Sequence, residues 1–274
     1  MVQKPRQVIS SSQTSLIFYF QELIKYRDLL ITLTLRDFKV RYSQTFLGFL
    51  WAFIQPFSTL LILVFVFGKT LHVDTGGIPY PLYAMSGMVL WTYFGYVLNQ
   101  SGNAIISSQS MISKVYFPRL IIPISKAFVG LIDFLISFVL LGILLVVYRY
   151  PLSVQAIYAP IFVFLAFISA IGAGILFCTL TVRYRDFQYV IPFLLQFGLY
   201  ITPIAYSASY IPTKWKWLYF LNPMAGVIEG LRWSLFGKAI FEPCYFVSFG
   251  TGIMLFVVGV TSFVRIENEM ADLV

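Results

Sequence analysis

The side chains of this 274-residue chain that could do chemistry are few, and most stand beside long uncharged runs. Asp133 lies about ten residues into one such run, roughly 15 Å along a helix rising 1.5 Å per residue. A carboxylate at that depth in hydrocarbon is costly enough to need a purpose. Three purposes fit: a structural hydrogen bond inside a helix bundle, a place in a channel or dimer interface, or proton coupling. Lys126, seven residues earlier, is two turns away and not a direct partner. Glu229 and Arg232 stand three residues apart on one helical face, where pairing lowers the cost of keeping either ion near lipid. Arg36, Lys39 and Arg41 form a cation cluster beside the first apolar run, suited to a lipid phosphate or pyrophosphate headgroup or to any anionic lipid. Asp37 and Arg41 have the i,i+4 spacing of a helical ion pair. Phe67-Gly68-Lys69-Thr70 ends like a phosphate loop, but Leu63 occupies the place of the first glycine and no strand precedes it. Nucleotide hydrolysis is therefore not expected in this chain. His72 is the single histidine, which excludes a histidine metal cluster. Cys178 and Cys244 fall toward opposite ends of their runs and are expected to be free, packed thiols.

The elements that must position these groups follow from composition. With 59% hydrophobic and 11% charged residues, against about 25% charged in globular domains, the chain is expected to be an all-α integral membrane protein. Its net charge of +8 comes from residues flanking apolar runs rather than from a nucleic-acid-binding patch. Six uncharged or nearly uncharged runs are long enough to cross a hydrocarbon core of about 30 Å: 46–68, 82–106, 124–148, 156–182, 187–206 and 243–264. Six spans put both termini on one side, and thirteen of the nineteen lysines and arginines fall on that side, which places it in the cytoplasm. The expected organisation is a tail and interface helix over 1–45, a transmembrane domain over 46–264 and a second cytoplasmic tail over 265–274. The apolar run at 16–20 is shorter than a signal-peptide core of about 7–15 residues, so no cleaved leader is expected.

Three elements lie outside the spans. Residues 16–43 are expected to form two helical pieces broken near 26–28, with Asp28 as N-cap of the second. In that second piece Ile31, Leu35, Phe38 and Tyr42 make an apolar stripe opposite Arg36, Asp37, Lys39 and Arg41, fit for the lipid surface or for docking a cytoplasmic partner. In 113–123, SKVYFPRLIIP, the two prolines limit helix to short pieces. Lys114 and Arg119 hold this connection at the surface, either as an ordinary snorkelling turn or as a stiff element offering Tyr116 and Phe117 to a cleft in a soluble protein. The connection 207–242 is too apolar for water, and its pieces 215–221 and 223–236 are too short to span. They read as re-entrant or interfacial helices, the second beginning with Asn222 as N-cap and Pro223 at the first helical position.

The stretches YRDLLITLTLRDFKVRYSQTFLGFLWAFIQP (26–56), SKVYFPRLIIPIS (113–125), GLIDFLIS (130–137), VRYRDFQYVIPFLLQFGLYITPIAY (182–206) and NPMAGVIEGLRWSLFG (222–237) together resemble one family: the membrane-spanning subunits of type 2 ABC exporters of the Wzm/TagG kind. These export lipid-linked O antigen, teichoic acid or capsule. The resemblance implies a homodimer in the bacterial cytoplasmic membrane, with a channel between two six-span protomers. It implies two copies of a separate cytoplasmic ATPase that binds ATP and Mg, no cofactor in this chain, and a cargo of undecaprenyl-pyrophosphate-type polysaccharide, O antigen foremost. By the same likeness 16–44 is an interface helix. Residues 107–122 become a coupling helix carrying Lys114, Tyr116, Phe117, Pro118 and Arg119. Residues 207–240 become outer gate helices carrying Trp215, Trp217, Tyr219 and Trp233 with Asn222, Glu229 and Arg232, where the residues alone are equally satisfied by an aromatic belt. Aromatic residues at helical spacing, Phe49 and Phe53 in the first span and Phe193, Phe197 and Tyr200 in the fifth, offer a sugar polymer sliding contact or simply pack. Tyr83, Trp91, Tyr93 and Tyr96 in the second span are further candidates for such contact, and Tyr93 and Asp133 for the channel lining. A membrane enzyme acting on polyprenyl-linked glycans would need clustered acids or histidines, and only Asp133 and Glu229 lie near membrane depth. An ATP-independent carrier would be marked by inverted repeats, and none is visible.

Overall fold

The computed structural model describes residues 16–43, 46, 48–112, 117–238 and 241–267, and every regular element among them is helical. Helix α1 (Leu16–Lys25) and α2 (Arg27–Tyr42) precede α3 (Trp51–Leu63), which continues into a π-helical turn, Val64–Thr70. Then come α4 (Tyr80–Gly102), two four-residue pieces α5 (Ala104–Ser107) and α6 (Gln109–Ile112), α7 (Ile121–Val147), α8 (Ala159–Arg183) and α9 (Phe187–Ile201). The chain ends through α10 (Thr213–Tyr219), α11 (Pro223–Phe236) and α12 (Tyr245–Ile266).

Among the described residues four helical stretches are both long and apolar enough to cross a membrane: Gly48–Thr70, Ile121–Val147, Val154–Arg183 and Tyr245–Ile266. Two of the six expected spans depart from that pattern. Helix α9 has only 15 residues, because it stops at Ile201 where the run was expected to reach 206. Helix α4 has 23 residues but is more polar, and it is the helix most enclosed by the others, buried along nearly its whole length from Leu82 to Gly102. A helix walled by protein need not be uniformly apolar, since its neighbours satisfy its polar groups. The Ser101 hydroxyl donates to the Pro123 carbonyl at 2.7 Å, and the Ser86 hydroxyl to the Tyr83 carbonyl at 2.8 Å. Helix α3 is the opposite case. It buries only Ala52, Pro56 and Leu60, a single line at four-residue spacing.

Around α4 stand α7, α8, α9 and α11, and α12 packs outside them on α8 and α11. The α8–α12 crossing is backbone against backbone: a Cβ added at Gly172 would lie 2.4 Å from the Phe256 Cα, and one at Gly259 would lie 2.5 Å from the Gly172 carbonyl oxygen. Small residues let spans approach this closely and gain van der Waals contact that bulkier pairs forgo.

Four expectations need correction. The break between the first two helices is a single residue, Tyr26, which caps α2 without a side-chain bond; Asp28 therefore falls inside the first turn and caps nothing. Helix α2 docks on α7 with a face one residue away from the expected stripe. Leu33 is buried, Asp37 and Phe38 are half-buried, and Ile31 and Leu35 are each about 53% exposed. The cause is electrostatic, since partners on α7 draw the charged side inward, as shown below. Residues 107–122 do not form one helix; their described part holds the end of α5, α6 and a turn leading into α7. Finally, Glu267 is not in a free tail. It accepts the Arg119 backbone N–H at 2.6 Å, while the Arg119 guanidinium donates to the Glu267 carbonyl. Burial pushes its carboxyl above the usual carboxylate range.

Candidate functional site

Two polar nodes sit inside this bundle, one at each end. The first joins α2 to α7. Arg36 pairs with Asp37 at 2.8 Å, and the Lys126 ammonium lies 2.7 Å from the other Asp37 oxygen. Burial of Asp37 works against its charge, but Lys126 and Arg36 outweigh it and hold the carboxyl below its ordinary value. Four residues on, Arg41 pairs with Asp133, whose second oxygen accepts the Tyr42 hydroxyl at 2.6 Å. The Arg41 guanidinium also lies over the Tyr96 ring, 4.5 Å from its centroid, a favourable cation–π placement. The expected Asp37–Arg41 pair is thus replaced by two pairs across the helices, because each ion finds a fixed partner on α7 that a neighbour on α2 cannot match. Asp133 is the thirteenth of the 27 residues of α7, and its partners, Arg41 and Tyr42, come from the end of α2.

Above this node opens a cavity of about 530 Å³, within the roughly 300–1,000 Å³ of small-molecule sites. Arg41, Tyr42, Asp133 and Tyr96 form its charged end, and Trp51, Gln55, Thr59, Trp91, Thr92 and Asn99 line the rest. A run of rings leads past the mouth: Phe38, Tyr42, Phe49 and Phe53 follow one another at centroid distances of 5.1, 5.5 and 5.8 Å.

The second node is Arg232, 2% exposed in the middle of α11. Its Nη1 donates to the Pro203 carbonyl at 2.6 Å, the Tyr83 hydroxyl at 2.7 Å and Glu229 Oε1 at 3.1 Å. Its Nη2 donates to the Ile204 carbonyl at 2.8 Å and the Tyr83 carbonyl at 3.1 Å, and its Nε to the Ser86 hydroxyl at 3.3 Å. Helix α9 has already ended at Ile201, so the carbonyls of residues 203 and 204 have lost their helical donors. Arg232 supplies replacements. Glu229 in turn accepts the Ala208 backbone N–H at 3.3 Å. Asn222 caps α11 by accepting the Met224 N–H at 3.0 Å, Pro223 takes the first helical position, and Gly237 ends the helix at φ +65°. Burial in protein is what permits irregular backbone at membrane depth, and here one arginine closes the account.

The expected site residues divide accordingly. Glu229 and Arg232 pair as their spacing implies, but both are interior rather than at an exposed gate. Trp215 and Trp217 are 52% and 59% exposed on a helix that Lys216 pins to Glu242 at 2.6 Å. The Tyr219 hydroxyl donates to that of Tyr206 at 3.3 Å, and Trp233 stacks on Tyr158 at 5.8 Å. Phe193, Phe197 and Tyr200 are exposed along α9, as are Phe49 and Phe53 near the start of α3. Tyr93 lines no opening: it is buried against Phe134 and Phe167, since it faces α7 and α8 rather than α3. Lys114 and Tyr116 lie outside the described residues. Phe117, expected to be offered to a partner, is buried in a cluster with Tyr19, Leu120 and Phe263, and Pro118 is buried beside it; the apolar ring gains more from this core than from water. Arg119 is engaged by Glu267, Arg36 by Asp37, and Lys39 is exposed. Tyr83 and Tyr96, expected among the channel rings, lie against Arg232 and Arg41, and the polar partners of Tyr42 and Glu267 were not legible locally because they are remote in the chain.

Asp133 and Glu229 are therefore each held by an arginine, and the cavity beside Asp133 offers rings, neutral amides and hydroxyls, and the Arg41 cation. That set suits recognition of a polar, ring-containing ligand with an anionic group rather than acid–base or nucleophilic chemistry. Residues 28–236 match the ABC-2 type transporter family. The chain is 30% identical over 248 residues, 90% of its own length and 95% of the relative's, to the O-antigen export system permease protein RfbA of Klebsiella pneumoniae. It is 27% identical over 214 residues (77% and 82%) to the protein of that name from Myxococcus xanthus. To the polysialic acid transport protein KpsM of Escherichia coli it is 26% identical over 199 residues (72% and 77%).

Proposed function

The chain belongs to the ABC-2 type transporter family, and from that premise we propose that it is the permease subunit of an ATP-driven exporter that moves a lipid-linked polysaccharide, O antigen foremost, across the bacterial cytoplasmic membrane. Teichoic acid or capsule is the nearest alternative cargo, since permeases for capsular polymers are among its relatives. In this reading α3, α4, α7, α8, α9 and α12 are the six spans, both termini are cytoplasmic, and two copies of the chain enclose the channel. The exposed aromatic residues of α3 and α9 face that channel or the second copy. Two copies of a separate ATPase, binding ATP and Mg, drive the cycle from the cytoplasmic side, pushing on α2 and on the segment that precedes α7. Helices α10 and α11 form the outer gate, α11 as its fixed post and α10 as its exposed lip.

The observation that carries the reading is the cavity among α3, α4, α7 and α9, whose rings and neutral hydrogen-bonding groups suit sugar and whose one end holds the Arg41–Asp133 pair. Arg41 then meets the pyrophosphate as it arrives from the inner leaflet, while Arg36 is held by Asp37 and Lys39 stands outside the cavity. The test is reconstitution in vesicles with and without the ATPase encoded beside it. ATP-dependent movement of lipid-linked glycan is expected only with both subunits. Flux or glycan chemistry by this chain alone would overturn the assignment.

A further inference from the structure

Among the described cations of the α2–α7 node, Arg41 is the one that also lines the cavity. It lines the cavity beside Asp133, Tyr42 and Tyr96, and its side chain is still one-third exposed there. The last turn of α2 is tied to α7 through a single carboxylate, with Arg41 on one oxygen of Asp133 and Tyr42 on the other. Cations are in excess at this end: Arg36, Lys39, Arg41 and Lys126 against Asp37 and Asp133. Farther in, the Gln55 amide makes no hydrogen bond among the described residues, and Trp51 and Trp91 present rings beside it.

We infer that the cavity receives the phosphorylated end of a prenyl-linked glycan and that its phosphate takes Arg41 over from Asp133, so that loading of the cavity loosens the end of α2 from α7. This rests on the transport reading above and adds the internal competitor to it. A guanidinium fork matches phosphate oxygens in the same two-pronged way as a carboxylate, so one anion replaces the other without leaving the cation bare. Asp133 keeps the Tyr42 hydroxyl, and the Asp37–Lys126 contact one turn back keeps α2 attached. The first sugar then lies against Trp51 and Trp91 within reach of Gln55 and Asn99. Asp133 is by this account a positioning residue that holds the place of the substrate's phosphate.

The experiment uses the full chain in nanodiscs with farnesyl pyrophosphate as probe, and farnesol, inorganic pyrophosphate and phosphatidylglycerol-doped discs as comparison arms. Arg41→Gln should weaken farnesyl pyrophosphate binding at least tenfold. Asp133→Asn, which removes the competitor but can still bond Tyr42, should tighten it severalfold, and the exposed Lys39→Gln should change it less than twofold. Spin labels at the exposed positions Val40 and Phe128 should move apart when the probe is added, and should already be apart in Asp133→Asn. If Asp133→Asn does not fold, Tyr42→Phe serves instead: it leaves Asp133 bound to Arg41 alone and should weaken the probe. Unchanged or weaker binding in Asp133→Asn would overturn the exchange. So would equal losses in Lys39→Gln and Arg41→Gln, or equal displacement of the probe by phosphatidylglycerol, both of which mean attraction to any anionic surface. Stronger binding of inorganic pyrophosphate than of the prenyl form would move the site to a soluble phosphate and overturn the lipid-linked source. Export with the ATPase is scored separately, so exchange without export would sink the transport reading alone, and export without exchange would sink only this inference.

Discussion

Arg232 shows how much one side chain can decide in a membrane bundle. Its three nitrogens answer two carbonyls that the end of α9 leaves unpaired, a carboxylate, and groups of Tyr83 and Ser86 on α4. Removing one partner of a buried ion pair strands the other, at a cost of about 3–5 kcal/mol. Arg232→Gln should accordingly lose most of its folded yield in mild detergent, seen as a large drop in thermal unfolding temperature. Glu229→Gln should cost less, because the amide still accepts from Arg232 and from the Ala208 N–H. In the double variant the losses should fall short of their sum, since the two residues share one interaction. Additive losses would mean that Arg232 acts through the carbonyls alone.

At the scale of elements, two contacts carry the arrangement. Helix α2 is held on α7 by ions rather than by an apolar stripe, and Asp37 sets the pH at which it lets go. A carboxyl whose folded pKa lies below its unfolded value, near 3.9, contributes stability that is present above that value and is lost as the pH falls through the folded one. Hydrogen-exchange protection of α2 should therefore hold through neutral and mildly acidic conditions and fail only below about pH 4. Asp37→Asn should remove that acid step and lower protection at every pH. The α8–α12 crossing depends on the absence of a side chain. Gly172→Ala puts a methyl 2.4 Å from backbone atoms of α12, which cannot rotate away, and overpacking of this kind costs about 1–3 kcal/mol. Gly142→Ala, with nothing within 4 Å of the added carbon, should unfold at the parental temperature, so that the difference between the two reports packing rather than helix propensity.

For the molecule as a whole, the uneven burial of its helices is the telling property. Helix α4 is buried along most of its length, while α3 and α9 carry rows of exposed rings. In the proposed reading these rings face the channel or the second copy. Helix α10 covers the far end, pinned by Lys216 but presenting Trp215 and Trp217 outward. Trp217→Ala should leave thermal stability within about 0.5 kcal/mol of the parent, as exposed substitutions do, and should raise the permeability of reconstituted vesicles to small solutes. Unchanged permeability would remove α10 from the seal.

Residue order alone determines what lies within a few turns of itself. The uncharged runs, the short helices on either side of Asn222, the Asn222–Pro223 start of α11 and the Glu229–Arg232 pair all follow from local spacing, because length, capping and i,i+3 geometry need no knowledge of the rest of the chain. Contacts between helices remote in sequence are another matter. Tyr42 meets Asp133 across 91 residues and Arg232 meets Tyr83 across 149, while Phe117 and Tyr93 point into the protein rather than out of it. Which face of an apolar helix meets protein and which meets lipid is not written in its hydropathy, since both surroundings accept the same side chains; only the packing of whole helices, with each buried ion seeking its opposite, makes that choice.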